Sequence, residues 1–277
     1  PGGLWESGTI SGAGGVTLLG DSTQTARFVV DTEGVVTLNT AMTAGSIGSL
    51  SVDDGTLHLA DGGSVLIDGL EAALTLTSGR VTQAAANPAQ YAVESTGQLV
   101  KSGSGTAVVE ARYRQTGGVG LIAGGELVFE GDVLFGMETE ILEDAALTFA
   151  SAAGTVWQEA VFTGAGAIRV AGASVEARGN VSVDLADGGE LVLEGGAGIV
   201  ADTALDLGTG TTLRKAGQAS SAVSGVVLRG AAHVEAGALS VSRSDILGGA
   251  ATVDAGAELV FEGEPTSIGS EVTLAGE

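Results

Sequence analysis

One short pattern recurs along the whole chain: a turn that contains glycine, followed by a segment in which apolar and polar residues alternate. Three copies are nearly identical, namely Gly-Glu-Leu-Val-Phe-Glu-Gly at 125–131, Gly-Glu-Leu-Val-Leu-Glu-Gly at 189–195 and Ala-Glu-Leu-Val-Phe-Glu-Gly at 257–263. They begin 64 and 68 residues apart, and weaker copies between them bring the mean spacing to about 22 residues. Such repeats must stack on one another, because a single unit of this length cannot bury a core by itself.

The first apolar residue of each copy marks the repeat. These residues are Leu18, Val36, Leu57, Leu74, Leu99, Leu127, Leu147, Ile168, Leu191, Leu213, Leu239 and Leu259. Alternation with a period of two is typical of β-strands, whose successive side chains point to opposite faces. In the copy at 125–131, Leu127 and Phe129 are therefore expected to point inward, whereas Glu126, Val128 and Glu130 point outward.

The repeat length favours one architecture. A propeller blade needs about 40–45 residues, whereas one coil of a β-solenoid holds two or three short strands in about 22. We predict an all-β fold: a single-stranded right-handed parallel β-helix (β-solenoid) of about 12–13 coils, continuous over residues 1–277. The right hand follows from the general preference of parallel crossovers. A longer loop is expected at 80–93, where Pro88 interrupts an Ala-rich and Gln-rich segment.

The composition agrees with tightly turned coils. Glycine accounts for 47 of the 277 residues, about 17% against roughly 7% in average proteins, and it accepts the positive φ angles that sharp corners need. The aromatic fraction is only 4%, which suits a narrow interior. Proline cannot donate to a strand ladder, and Pro1, Pro88 and Pro265 fall at the chain ends or in the expected loop.

The charge excludes several classes of function. The formal net charge is −23, so the basic face that a nucleic-acid-binding protein needs is missing. No apolar run is long enough to insert into a bilayer. With no cysteine and two histidines, thiolate and His-rich metal sites are disfavoured, and we expect no cofactor or metal. The first residue, Pro1, and the lack of a signal peptide favour a mature protein or an excised fragment.

Two segments carry a family resemblance. Leu99-Val-Lys-Ser-Gly-Ser-Gly-Thr106 continues through Tyr113 and Gly117-Gly118 to the copy at 125–131. This is similar to the autotransporter-associated β-strand repeat, whose pattern is Leu-x-Lys-x-Gly-x-Gly-Thr, then a Tyr before a Gly-Gly step, then Ala-Gly-x-Leu. The segment 213–239 resembles it without the Tyr, and the segment 5–15 resembles the lead into such a repeat. The resemblance covers about a third of the chain and implies a secreted, passenger-like β-helix from a Gram-negative-type bacterium.

Three constellations of chemical groups have alternative interpretations. The acidic stretch 126–144 suggests a Ca²⁺ site, but a solvated outer face explains it more simply. Gly20-Asp21-Ser22, with His58 as a base, is similar to a serine-hydrolase segment, but Asp-Ser is also ordinary turn chemistry. A polysaccharide lyase would need a basic residue that acts on a uronate, although a chain of this charge repels polyanions. The arginines available for that role near the middle of the chain are Arg112, Arg114, Arg169 and Arg178.

Val128, Val192 and Val260 occupy matching outward positions in the three best copies, and an outward apolar stripe of this kind is one candidate association face. The sequence as a whole favours a non-enzymatic extracellular structural or adhesive rod, either at a bacterial cell surface or released from it. Its partners would be cell-surface or matrix components, or further copies of the chain. The alternatives are a self-assembling filament or sheath subunit and a glycan-active, lyase-like β-helix enzyme.

Overall fold

The computed structural model describes residues 2–11, 14–19, 26–31, 34–263, 267–269 and 272–274. Over these residues the fold is all-β without a helix, and parallel strands stack in about 11 turns of roughly 22 residues, which confirms the predicted β-solenoid. The right hand of the coil and its continuity over 1–277 stay predictions.

The chain divides into two compact units, Pro1–Glu138 (unit 1) and Thr139–Glu277 (unit 2). The strands of unit 1 are β1 Gly2–Trp5, β2 Gly8–Ser11, β3 Val16–Leu19, β4 Arg27–Val30, β5 Val35–Asn39, β6 Ala41–Gly45, β7 Ser49–Val52, β8 Thr56–Leu59, β9 Ser64–Asp68, β10 Ala73–Leu76, β11 Arg80–Gln83, β12 Val93–Ser95, β13 Gln98–Lys101, β14 Thr106–Val109, β15 Tyr113–Gln115, β16 Val119–Ile122, β17 Glu126–Phe129 and β18 Val133–Phe135.

Unit 2 begins within β19. Its strands are β19 Glu138–Ile141, β20 Ala146–Phe149, β21 Thr155–Gln158, β22 Val161–Gly164, β23 Ala167–Val170, β24 Val175–Arg178, β25 Val181–Leu185, β26 Glu190–Leu193, β27 Ile199–Leu207, β28 Thr212–Lys215, β29 Ser221–Leu228, β30 Ala231–Val234, β31 Ala238–Ser242, β32 Asp245–Ile246, β33 Ala251–Val253, β34 Glu258–Glu262, β35 Ser267–Ile268 and β36 Val272–Leu274.

Three parallel ladders run along unit 1, and every third strand belongs to the same ladder. Ladder 1 starts with β1 and β4, ladder 2 with β2 and β5, and ladder 3 with β3 and β6. Equivalent inward residues stack in register: Val36 pairs with Leu57, which pairs with Val81 in the next coil. Each coil therefore consists of three short strands and three corners.

Unit 2 repeats this plan, with ladder 1 starting at β19, ladder 2 at β20 and ladder 3 at β21. In ladder 2, Ile168 pairs with Leu191, which pairs with Leu213. Ladders 1 and 3 merge where β27 and β29 run through a corner without a break. The register of the β27–β29 pair shifts between Val200 and Leu205, so the extra residues of β27 are absorbed there as a bulge.

The apolar residues that mark the repeat do not all lie in the same ladder. Val36 and Leu57 lie in ladder 2, whereas Leu74 and Leu99 pair with each other in ladder 1. The strands of different ladders alternate in the same way, so their first apolar residues look alike in the sequence. The mean period is still correct, because every ladder shares it.

The predicted alternation is confirmed. Leu127 and Phe129 are fully buried, whereas Glu126 and Val128 are half-buried and Glu130 is exposed. Inward aliphatic residues fill most of the core, and each unit also contains clustered aromatic residues. In unit 1 the ring centroids of Tyr113 and Phe129 lie 4.9 Å apart. In unit 2 the centroid of Trp157 lies 5.4 Å from that of Phe149 and 5.0 Å from that of Phe162.

The expected loop is shorter than the predicted 80–93, because residues 80–83 form β11 and only 84–92 connect it to β12. Asn87 anchors this loop: its buried Nδ2 donates to the carbonyl oxygens of Ala60 and Gly63, both at 2.8 Å. The Nη2 atom of Arg112 donates in turn to the Asn87 carbonyl at 2.7 Å. The loop is thus held to the coils on both sides.

Tyr113 gives a prediction at alkaline pH. Its phenol is fully buried and donates to Gln115 Oε1, and burial raises the pKa of Tyr113 well above its ordinary value. Above pH about 10 the unfolded state loses this proton while the folded state keeps it, so the stability of the fold decreases as the pH rises. We expect the tyrosinate absorbance of Tyr113 to appear only together with loss of the β-sheet circular dichroism signal.

The control for this titration is Tyr113→Phe, in which the absorbance step that accompanies unfolding should vanish. Ionisation of Tyr113 near pH about 10, with an unchanged circular dichroism spectrum, would contradict the prediction.

Candidate functional site

A shallow groove of about 550 Å³ lies on the outer surface of unit 2. Two corner turns form its sides, 142–145 with Glu143 and Asp144, and 186–189 with Asp187. Arg169 and Glu190 complete the lining together with small residues. We call this feature the acidic groove and define it by Glu143, Asp144, Arg169, Asp187 and Glu190.

The groove arises because successive coils use different numbers of residues at the same corner. Four residues, 142–145, connect β19 to β20, and four residues, 186–189, connect β25 to β26. In the coil between these two, only residues 165–166 connect β22 to β23. The short corner must contain glycine, since a Cβ at Gly166 would lie 2.4 Å from the Leu142 carbonyl oxygen. A recess thus remains between two protruding turns.

The two protruding turns have similar geometry. The amide of Ala145 donates to the carbonyl of Leu142 at 3.0 Å, and that of Gly189 donates to the carbonyl of Ala186 at 2.8 Å. The third residue of each turn has a positive φ, 63° at Asp144 and 94° at Gly188. Because Asp is among the few non-glycine residues that tolerate this conformation, the turn can carry a carboxylate at its tip.

An ion ladder continues from the groove across the outer face. Arg214 Nη1 lies 3.0 Å from Glu190 Oε2, and its Nε lies 2.8 Å from Glu235 Oε1. The hydrogen bond from Arg214 holds the pKa of Glu235 below its ordinary value, and the hydrogen bond to Glu235 raises the pKa of Arg214. These groups are about one-third exposed, so each pair contributes at most about 1 kcal/mol to stability.

Every basic side chain of the chain is engaged within the chain. Both lysines are buried and bound to backbone carbonyls. Arg169 is also engaged. The remaining partners are Asp53 for Arg27, Glu110 for Arg80, Gln83 and Asn87 for Arg112, Glu94 for Arg114, Glu176 for Arg178, Glu190 and Glu235 for Arg214, Asp206 for Arg229, and Ser224 and Ala201 for Arg243. The surface that a partner meets is therefore strongly anionic.

The proposed association face does not form as one outward stripe. Val192 is only 1% exposed, because Arg169 and Arg214 occupy the paired positions on its two neighbouring strands, where their aliphatic stems can cover it. Val260 lies in ladder 3, whereas Val192 lies in ladder 2 of the same unit. Val128, in unit 1, is half-buried. Val192 is thus covered at its outward position, so the three valines do not form one exposed stripe.

The four candidate lyase arginines have separate surroundings. In unit 1, Arg112 is bound to Gln83 and Asn87, whereas Arg114 lies 3.5 Å from Glu94 and 5.8 Å from the centre of the Tyr91 ring. In unit 2, Arg178 forms a two-point contact with Glu176. Only Arg169 of the four lines the acidic groove.

The serine-hydrolase-like segment and the Ca²⁺ site are the remaining candidate sites from the sequence. Gly20, Asp21 and Ser22 lie outside the described residues, and His58 Nδ1 lies 2.9 Å from Thr82 Oγ1. Within the described ranges, no three His, Asp or Glu side chains are grouped so that they could hold a metal ion. The same ranges contain no helix of a length and hydropathy suited to crossing a membrane.

The acidic groove is not evident in the amino-acid sequence. A signal exists: the acidic turns at Asp144 and Asp187 are 43 residues apart, close to two repeats. Only the register shows that they flank the same corner.

No family model matches the chain, and no curated protein or solved structure is significantly similar to it.

Proposed function

We propose that this chain is a non-enzymatic structural or adhesive β-solenoid that a Gram-negative-type bacterium presents at its surface or releases from it. The observation that carries the proposal is the anionic character of the chain, in which 34 Asp and Glu residues outnumber 11 Lys and Arg residues and every basic side chain is engaged within the chain. Such a surface can make many weak contacts along a stiff support without a single deep pocket.

The interior supports the same role. Inward residues such as Val36, Leu57 and Val81 stack in register and are at most 1% exposed. The described core is filled mostly by the side chains of the chain itself, and a recess beside Leu239 in unit 2 has a volume of only about 10 Å³. Within each unit, close packing of this kind gives a core of low compressibility, which suits a spacer or adhesive support.

Two further features support an extracellular location. The chain has no cysteine, which suits a protein that crosses the outer membrane unfolded, and its Leu-x-Lys-x-Gly segments resemble the autotransporter-associated repeat. The charge favours partners with basic groups, such as cationic matrix or cell-surface components, and disfavours nucleic acid.

Surface display tests this proposal. Residues 1–277 are fused to an outer-membrane anchor in a Gram-negative laboratory strain, and adhesion is measured on surfaces coated with basic or acidic matrix components. We expect adhesion to basic coatings that decreases with salt. The matched control replaces Glu143, Asp144, Asp187 and Glu190 by the corresponding amides. Adhesion equal to that of cells carrying the anchor alone would contradict the adhesive role.

A glycan-active enzyme is the second candidate, and the position of Arg169 among the carboxylates of the acidic groove is the observation that favours it. The purified chain is incubated with a panel of acidic polysaccharides, and the ultraviolet absorbance of unsaturated products is followed. Product formation that Arg169→Ala abolishes would establish a lyase and overturn the non-enzymatic proposal.

A further inference from the structure

The only two lysines of the sequence occupy core positions. Lys101 ends β13 and Lys215 ends β28, and both are 0% exposed. Each lies two residues after an inward leucine, Leu99 or Leu213, and so follows the alternation that points side chains into the core. A charged side chain at such a position is unusual, because burial without compensating hydrogen bonds is very costly.

Backbone carbonyls surround the ammonium group of Lys101. Its Nζ donates to the carbonyl of Ser102 at 2.6 Å and to that of Gly103 at 3.0 Å, both in the corner that directly follows β13. The third bond, also 3.0 Å, goes to the carbonyl of Gly124 in the next coil. Three N–H donors thus meet three acceptors, and one of these lies on a different coil.

Lys215 repeats this arrangement in unit 2. Its Nζ donates to the carbonyls of Ala216 at 2.9 Å and Gly217 at 2.7 Å, and to that of Ala236 in the next coil at 3.1 Å. Lys101 lies in ladder 1 of its unit and Lys215 in ladder 2 of its own. The arrangement therefore belongs to the local sequence and not to one particular corner.

Glycines with positive φ shape both cradles. Gly103 and Gly217, two residues after each lysine, have φ values of 71° and 76°, and Gly125 and Gly237, which follow the acceptors in the next coil, have values of 61° and 70°. A Cβ at Gly125 would lie 2.2 Å from the Gly105 carbonyl oxygen, and one at Gly237 would lie 2.6 Å from that of Gln218. Each cradle therefore depends on two glycines, one two residues after the lysine and one directly after the acceptor in the next coil.

The hydrophobic pattern does not by itself fix the register between neighbouring strands, and these lysines can fix it. A slip of one residue between neighbouring strands would turn the apolar face outward, but a slip of two residues keeps it inward. In a slipped coil the ammonium would lose its acceptor on the next coil, and a buried charge with an unmet donor is strongly disfavoured.

We propose that Lys101 and Lys215 are register latches, which fix the alignment of one coil on the next by binding a carbonyl at a single position of the following corner. Burial lowers the pKa of both lysines, so the charge itself is a cost to the fold. This is the pattern expected of a buried ion that specifies one arrangement among several.

Engineered cysteines can test the register in unit 1, since the chain has none of its own. Val100 pairs with Leu121 across β13 and β16, so Val100→Cys with Leu121→Cys reports the native register. Val100→Cys with Val119→Cys reports a slip of two residues, because a disulfide requires Cα atoms within about 7 Å. With Lys101 present, we expect oxidation to close only the first pair.

In the Lys101→Met background we expect the slipped pair to close as well. We also expect the Ala123 amide, which donates to the Lys101 carbonyl at 2.8 Å, to exchange with solvent at least about tenfold faster. Leu99→Met is the matched control, since it places methionine at the neighbouring inward position and should leave the native pair unchanged. Native cross-linking alone, with unchanged Ala123 protection, would overturn the proposal.

A measurement on the unaltered protein decides the matter if Lys101→Met does not fold. With ¹⁵N-labelled lysine, the two ammonium groups should give two distinct signals whose protons exchange slowly with water. Ammonium protons that exchange as fast as those of free lysine would show that the cradles do not hold, and would also overturn the proposal.

Discussion

A Gly118→Ala variant is expected to lose about 4 kcal/mol or more of folding free energy. Gly118 has a φ of 77° at the corner between β15 and β16, and a Cβ there would lie 1.8 Å from the carbonyl oxygen of Gly97 in the preceding coil. The clash involves backbone on both sides, so no side-chain rotation relieves it. Urea unfolding followed by circular dichroism would measure the loss.

Gly217→Ala is the matched control for this prediction. Its φ of 76° is nearly the same, but a Cβ at Gly217 would have no atom within 4 Å. This variant should lose only the conformational cost of a left-handed residue, about 1–2 kcal/mol. Equal losses for both variants would show that the close approach of the coils at Gly118 is not what makes glycine necessary there.

Two substitutions of Trp157 distinguish the contribution of its ring packing to stability from the cost of its unpaired N–H group. Trp157 is fully buried between Phe149 and Phe162, and among the described residues its Nε1 atom has no hydrogen-bond partner. Trp157→Ala leaves a large cavity and should cost about 3–5 kcal/mol. Trp157→Phe keeps most of the aromatic packing and removes the unmet donor, so its loss should be less than about half as large.

Both Trp157 variants can be compared by urea unfolding of unit 2 under the same conditions. Phe261→Ala serves as the control in that unit, since Phe261 is 38% exposed, and its loss should not exceed about 1 kcal/mol. If Trp157→Phe were as destabilising as Trp157→Ala, the indole N–H would have to be satisfied in solution, and the aromatic cluster would contain a water that bonds it.

Local pattern predicted the inward and outward residues well. Leu127 and Phe129 point inward, and His58 and His233 are partly exposed on outward positions, as the alternation indicates. The reason is physical: in an extended chain, the direction of each side chain depends on its immediate neighbours alone. The alternation does not show that Val192 is covered, because the arginines beside it lie on two other coils.

The role of Lys101 shows a similar limit. The alternation places it inward, and its motif is plain in the sequence, but its cradle includes a carbonyl 23 residues away. The acidic groove depends in the same way on corner lengths in three successive coils. No local pattern reports which residues two coils bring together.

The sequence alone determined the strand character, the period of about 22 residues, the parallel stacking and the anionic charge of this protein. These properties follow from backbone periodicity, glycine content and composition, which act within one repeat. The tertiary structure decided that each coil has three strands, which outward residues are covered, where the groove lies and what the two lysines bind. Those outcomes depend on the number of residues at each corner and on which strands of neighbouring coils pair, and a pattern within one repeat reports neither.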